Sequence, residues 1–309
     1  RTFNPKDKQN VMCSKNVVKY AREQGWYNGK DADFSFCETY AKPDFSGRRF
    51  CEARVWTFFN MYSDDMAQYV DYAAGKVADA KPMPLWIVPN RKLSVHDMEM
   101  AMRDHYEGTP FALDSDIGGG IWEMPYRPTP LQFKVDGKTY FNERPVSTQQ
   151  SGFVYVSQMR SWLPREVGGI LWFGNDDANM VAFTPVYCCT SVAPLPYNTP
   201  GADNITFSMD NAFWVCNWVS NMVYPRYAQM FGSLQTVRDS LDNSYFAAQA
   251  EVEAKALELS KTDRQAAVDY LSKYTSDKAD QMLDTWKNLA TYLIVKYNDM
   301  VVKEDVNGK

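Results

Sequence analysis

Two histidines in 309 residues leave little room for imidazole chemistry. On one helix at about 100° per residue, positions 96 and 105 fall on opposite faces, so His96 and His105 cannot share a metal. With no other histidine to complete a ligand set, a surface role for His96 and a core role for His105 are the readings adopted. The six cysteines (Cys13, Cys37, Cys51, Cys188, Cys189 and Cys216) form no CxxC pair. Cys188 and Cys189 are direct neighbours, their Cα atoms about 3.8 Å apart across a trans peptide, and a disulfide between them would be strained. Free, buried thiols are expected for most of the six, with Cys216 in a helical apolar run. No basic stripe stands out, and the net charge of −5 argues against nucleic-acid binding. No apolar run is long enough to cross a bilayer, so no membrane span is expected. Gly118-Gly119-Gly120 is followed by Ile121-Trp122 and prolines rather than a helix, which removes the helix N-terminus a phosphate cradle needs. The chain opens at Arg1 without an initiator Met or signal peptide. RTFNPKDKQN reads like a loop inside a larger protein, so a fragment or processed chain is expected, with any targeting signal upstream.

What the sequence does contain is a large core. At 45% hydrophobic residues the chain can form one big domain, or a domain plus an extension. Its centre is the stretch from Ser151 to Cys189. Phe153–Val156, Ile170–Phe173 and Met180–Tyr187 are β-branched and aromatic runs broken by Gly, Pro, Asn and Asp, the pattern of adjacent antiparallel strands. The middle run is apolar on consecutive positions, which predicts a strand covered on both faces.

Around that centre the periodicity predicts helices. One runs from about Ser14 to Gln24 and another from Ser63 or Asp64 to Gly75. A third is capped by Ser94 and Asp97, with Val95, Met98, Met102 and His105 on its inner stripe. Glu52–Tyr62 should be buried. Phe34, Phe36 and Tyr40 alternate like an edge strand, and Leu85–Val88 looks like a short one. Residues 107–150 form a long excursion holding a hairpin with Asp136-Gly137 at its turn. Ser208 or Asp210 should cap an apolar helix kinked at Pro225 and ended by Gly232. From Ser233 onward, helices are expected at about 234–260 and 277–299, with a shorter one opening at Thr262 between them. Asn204-Ile205-Thr206 is a glycosylation sequon. The residues alone thus describe an α+β domain, 1–232, with a helical extension, 233–309, and no self-contained active site.

Several segments go further. GWYNGKDADFSFCETYA at 25–41, RRFCEARVW at 48–56, RDHYEGTPFALD at 103–114 and ERPVS at 143–147 resemble the dipeptidase A family. So do the FVYVSQMRSWLPREVGGILWFG run, TPVYCCTSVAPLPY and DNAFWVCNWVSNMVYPRY. The resemblance covers roughly residues 3–240 in order. It implies a cysteine-type dipeptidase of the N-terminal-nucleophile hydrolase superfamily with a four-layer αββα sandwich. In that family a cysteine freed at the mature N-terminus attacks the peptide carbonyl, with its own α-amine as base. Arg1 cannot fill that place, and Cys13 lies in a predicted loop outside the nucleophile motif. This chain is therefore expected to be the C-terminal part of such an enzyme, inactive when isolated.

The superfamily also organises its site with an arginine near a strand start in this half. Arg144, in ERPVS, is the candidate; Gln149-Gln150 stands where relatives often carry a second arginine. A surface arginine before Pro145 is the competing reading. No cofactor or metal is implied. The expected partners are a dipeptide substrate and the N-terminal part of the same enzyme, and the expected location is the bacterial periplasm or outside the cell, with the cytoplasm as the other possibility. The alternative reading is a non-catalytic module that binds peptide or glycan, suggested by the 15% aromatic content and the missing nucleophile.

Overall fold

The computed structural model describes residues 4–304. Its contacts divide them into two compact units, 4–93 with 130–143, and 94–129 with 144–304. The chain is mixed helix and antiparallel sheet.

The first unit is made of short helices. Val17–Glu23 (α1) and Phe36–Tyr40 (α2) pack around Val18, Ala21 and Phe34. The expected edge strand at Phe34–Tyr40 is instead one helical turn, because Ser35 Oγ accepts the Glu38 N–H and caps it. Phe45–Gly47 (α3) passes through a π turn at Arg48–Glu52 into Ala53–Asn60 (α4), and Val70–Ala74 (α5) ends at Gly75 with φ +73°. Ala53, Trp56 and Thr57 are the buried face of α4, so the 52–62 run is buried on one side only. Arg49 is buried against Glu143, and the Arg48 guanidinium lies 4.8 Å from the Tyr72 ring centroid. Gln132–Val135 (β1) and Lys138–Phe141 (β2) form the expected hairpin. Asp136 and Gly137 both take positive φ, +49° and +75°, as a turn matched to strand twist requires. No strand forms at 85–88.

The second unit carries the sheet. Val95–Met102 (α6) begins with the Ser94–Asp97 capping box. Phe153–Met159 (β3), a short helix Arg165–Gly168 (α7), Gly169–Asn175 (β4) and Thr184–Tyr187 (β5) follow, and the strands pair in the order β3-β4-β5, all antiparallel. Ala212–Val223 (α8) is capped by Asn211 rather than Ser208 or Asp210, since it is the Asn211 side chain that accepts the Trp214 N–H. Pro225 sits in a 3-10 turn that leads into Tyr227–Ser260 (α9). Gly232 does not end that helix, which runs unbroken across the boundary expected at 232/233. Arg264–Tyr297 (α10), capped by Asp263, replaces the two separate helices expected there.

The sheet is buried on one face only. Val154, Val156, Ile170, Trp172 and Tyr187 share a face by register and lie under the helices, with the Trp172 ring 4.8 Å from that of Phe246 of α9 and tilted by 38° to it. Thr275 of α10 accepts the Tyr187 N–H at 3.3 Å. On the other face Phe153, Tyr155 and Met159 are 61%, 49% and 57% exposed, and the Phe153 ring lies parallel to those of Tyr155 and Phe173. This corrects the reading of β4 as a strand covered on both faces. Its consecutive apolar residues divide between a helical layer and a half-buried face, where Phe173 meets Tyr197 edge-on with ring centroids 5.0 Å apart.

Trp172→Ala should therefore cost about 3–5 kcal/mol by urea unfolding. Trp162→Ala, in an exposed turn, should stay within about 0.5 kcal/mol. Similar losses at the two positions would contradict this account of the core.

Candidate active site

Arg144 opens the segment that leads into β3. Its carbonyl accepts a hydrogen bond from Tyr106 Oη at 3.1 Å, and its partly buried side chain has a buried Nε with no acceptor among the described residues. The turn at Asp104–Tyr106 holds this segment in place. Ser147 N–H donates to the Asp104 carbonyl at 3.0 Å, while Tyr106, at φ +66°, donates its own N–H to the Asp104 carboxylate at 3.1 Å.

Ser147 then joins the segment to the turn after β4. Its hydroxyl donates to Asp177 Oδ1 and accepts the Asn179 N–H at 3.0 Å. The other oxygen of Asp177 accepts from Tyr224 Oη at 3.3 Å. Asp176, also fully buried, accepts from Ser220 Oγ at 2.7 Å and Asn217 Nδ2 at 3.1 Å. Its backbone takes φ +86°, a conformation Asp tolerates better than most side chains, and its N–H donates to the Gly152 carbonyl. Burial pushes the Asp176 carboxyl up to about 7, with the Asp177 charge adding to the rise and the Ser220 and Asn217 donors opposing it. Burial, reinforced by Asp177, also drives the Tyr126 phenol well up.

Beneath this lies an arginine layer. Arg238 donates to both the carbonyl and Oδ1 of Asn179 at 2.7 Å. Arg103 donates to the Ala178 and Val181 carbonyls and to Asp242 Oδ2 at 2.7 Å. Both guanidiniums are buried, so each replaces lost hydration with fixed acceptors. Glu99 is fully buried nearby, and neither carboxyl oxygen has a hydrogen-bond partner. Burial first, and Asp242 second, push its carboxyl up to about 9 against the pull of Arg103 and Arg238.

The histidines stand apart, though not on one helix as expected. α6 stops at Met102, so His105 falls in the turn beyond it, buried edge-on to Tyr126 at 4.8 Å, with Nδ1 2.9 Å from Glu107. His96 lies on α6 and is exposed. Among the described residues no group of three or more His, Cys, Asp or Glu side chains is placed to hold a metal ion. The thiols also depart from expectation. All six are free, but Cys216 alone is buried; Cys13, Cys51 and Cys188 are exposed. Cys216 lies one turn from Ser220, yet its Sγ turns toward Met282 Sδ at 3.9 Å, and burial holds its thiol well up. A neutral, buried thiol makes a poor nucleophile.

The arrangement therefore presents a cationic side chain on a rigid buried polar scaffold, with no activated nucleophile among these residues. The sequence singled out Arg144 but not Ser147, Asp176, Asp177 or Asn179, which the fold brings together. Two adjacent acids between apolar runs were the available signal.

Comparison with known proteins places the chain in a family. The model for peptidase family C69 matches residues 1–240, and the chain belongs to that family. It is 25% identical over 193 residues to a probable dipeptidase of Salmonella dublin, covering 60% of this chain and 37% of that protein. It is 23% identical over 182 residues to dipeptidase A of Lactobacillus helveticus (59% and 32%), and 20% identical over 221 residues to a probable dipeptidase of Latilactobacillus sakei (72% and 40%). The matched stretch thus spans about a third to two fifths of the length of these curated relatives.

The Glu99 carboxyl gives a pH test. Its folded value near 9 lies above the ordinary 4.5, so between them the folded chain keeps a proton that the unfolded chain has released. That contribution is fully present below about 4.5 and is lost as pH rises toward 9. Glu99→Gln should match the parent's melting temperature near pH 5 and exceed it increasingly between pH 6 and 9 by calorimetry. Parallel pH profiles for the two proteins would refute a buried, neutral Glu99.

Proposed function

We propose that this chain is the C-terminal part of a dipeptidase that uses an N-terminal cysteine nucleophile supplied from upstream. Membership of peptidase family C69, with relatives named as dipeptidases, is the observation that carries the reading. The open, aromatic face of the three-stranded sheet supports it: a second sheet packed there would complete an αββα sandwich, with α8, α9 and α10 as one outer layer.

In this reading the upstream thiolate attacks the carbonyl carbon of the substrate, and the α-amine of the same cysteine takes the thiol proton. Negative charge gathers on the carbonyl oxygen and must be met by fixed donors. Arg144 supplies one, to that oxygen or to the dipeptide's terminal carboxylate. A guanidinium stays charged at any working pH, and its fork matches a carboxylate. The Ser147–Asp177 link and the Tyr106 contact fix the segment that carries Arg144, so the donor is placed before substrate arrives.

The test uses the chain alone and the chain expressed with its upstream coding sequence, each assayed on a panel of dipeptides. The longer protein should hydrolyse them and lose activity to iodoacetamide. The 309-residue chain should be inactive. In the longer protein Arg144→Gln should lower kcat/KM by about 10²-fold or more, with Arg144→Lys recovering part of the loss. Thiol-reagent-sensitive turnover by the shorter chain would overturn the proposal.

A further inference from the structure

A second feature of the sheet lies at the end away from Arg144. Asp176 and Asp177 follow the end of β4, where Asn175 pairs with Phe153; the opposite end is the pairing of Met159 with Gly169. Along β3 the two ends are roughly 20 Å apart at about 3.3 Å per residue. There a cleft of about 640 Å³ opens between the ends of β3 and β5, the turn through α7 and the first turns of α10. That volume falls in the range of small-molecule sites.

Its walls divide by chemistry. Met159, Leu163 and Val268 give apolar surface, and three arginines, Arg160, Arg165 and Arg264, face it against one carboxylate, Glu166. Glu166 is committed to Arg264. Arg160 is held by Glu253 at 2.7 Å and by the Val167 carbonyl at 2.8 Å, yet its buried Nε has no acceptor. Arg165 is exposed and forms no ion pair among the described residues. The cleft thus keeps uncompensated positive charge in a chain whose net charge is −5. Its floor is also constrained. A Cβ on Gly168 would stand 2.8 Å from the Arg160 carbonyl, and one on Gly169 would stand 3.0 Å from Cys188 Sγ, so the glycines let the strands and the thiol close together beneath the arginines.

We propose that this cleft binds a small apolar carboxylate, its carboxyl on Arg165 and its hydrocarbon part along Met159, Leu163 and Val268. A guanidinium alone would serve phosphate as well. The apolar wall selects an organic acid over an inorganic anion, because burying hydrocarbon there adds a favourable term that a bare oxyanion lacks. The site is independent of the catalytic reading, since it needs neither the upstream nucleophile nor Arg144.

Cys188, exposed and lining the cleft, reports on occupancy, while Cys13 and Cys51, exposed in the first unit, are internal references. Alkylation of each cysteine by iodoacetamide is followed by peptide mass spectrometry on the protein expressed with its upstream coding sequence. N-acetylleucinate at about ten times its Kd should slow Cys188 alkylation about tenfold and leave Cys13 and Cys51 unchanged. N-acetylleucinamide, which lacks the charge, and inorganic phosphate, which lacks the apolar part, should protect far less. Arg165→Gln, a substitution at an exposed position, should remove the protection. The proposal falls if the acid gives no selective protection, if the amide or phosphate protects equally, or if Arg165→Gln protects as the parent does.

Discussion

Ile170 and Trp172 project from the middle strand into a layer built by α8, α9 and α10, and the second unit depends on that burial. A three-stranded sheet must bury at least one face to be stable in water, and here the helices cover only one. Two helices of 34 residues each supply the cover. They pack against one another and present Tyr245, Leu271, Met282, Leu283, Trp286 and Leu293 to the common core. The end of β5 and the turn beyond it are tied into the same layer, with the Tyr187 and Ser191 N–H groups donating to hydroxyls of α10. An N–H that an edge strand would otherwise leave unpaired is thus satisfied from within the chain.

The polar scaffold follows from the same packing. Because the strand ends are held rigidly by the helical layer, Asp176 and Asp177 are drawn out of water, and their oxygens must find donors inside. Ser147, Ser220, Asn217 and Tyr224 provide them. Glu99 is the exception. Its oxygens accept no hydrogen bond, the nearest ring nitrogen being His96 Nδ1 at 3.9 Å, and burial favours the neutral carboxyl, which lowers the cost of leaving it without donors. Through Ser147 the scaffold fixes the segment bearing Arg144, so packing at the helical layer reaches the proposed site without any direct contact.

Much of this was legible in the sequence where local chemistry decides the outcome. The Ser94–Asp97 box, the Asp136-Gly137 turn, the three central strands, the break at Pro225 and the buried Cys216 all follow from side-chain hydrogen bonding, φ preference or hydropathy. Elsewhere tertiary context won. Phe34–Tyr40 alternates like a strand, yet Ser35 capped a helical turn, and Gly232 sits inside a helix whose packing outweighs its roughly 1 kcal/mol penalty. Consecutive apolar residues in β4 could not say whether both faces are covered by this chain. The polar scaffold was hidden for a similar reason: Ser147, Asp177 and Tyr224 are far apart in sequence, and only the folded register brings them together.

The open face of the sheet is the most direct place to test the proposed half-sandwich. Hydroxyl-radical footprinting of Phe153, Tyr155 and Met159 can be compared between this chain alone and the chain expressed with its upstream coding sequence. If a second sheet packs there, these three side chains should be strongly labelled in the short protein and protected in the long one. Buried Trp172 should stay protected in both. Equal labelling of Phe153 and Tyr155 in the two proteins would contradict a sandwich completed from upstream.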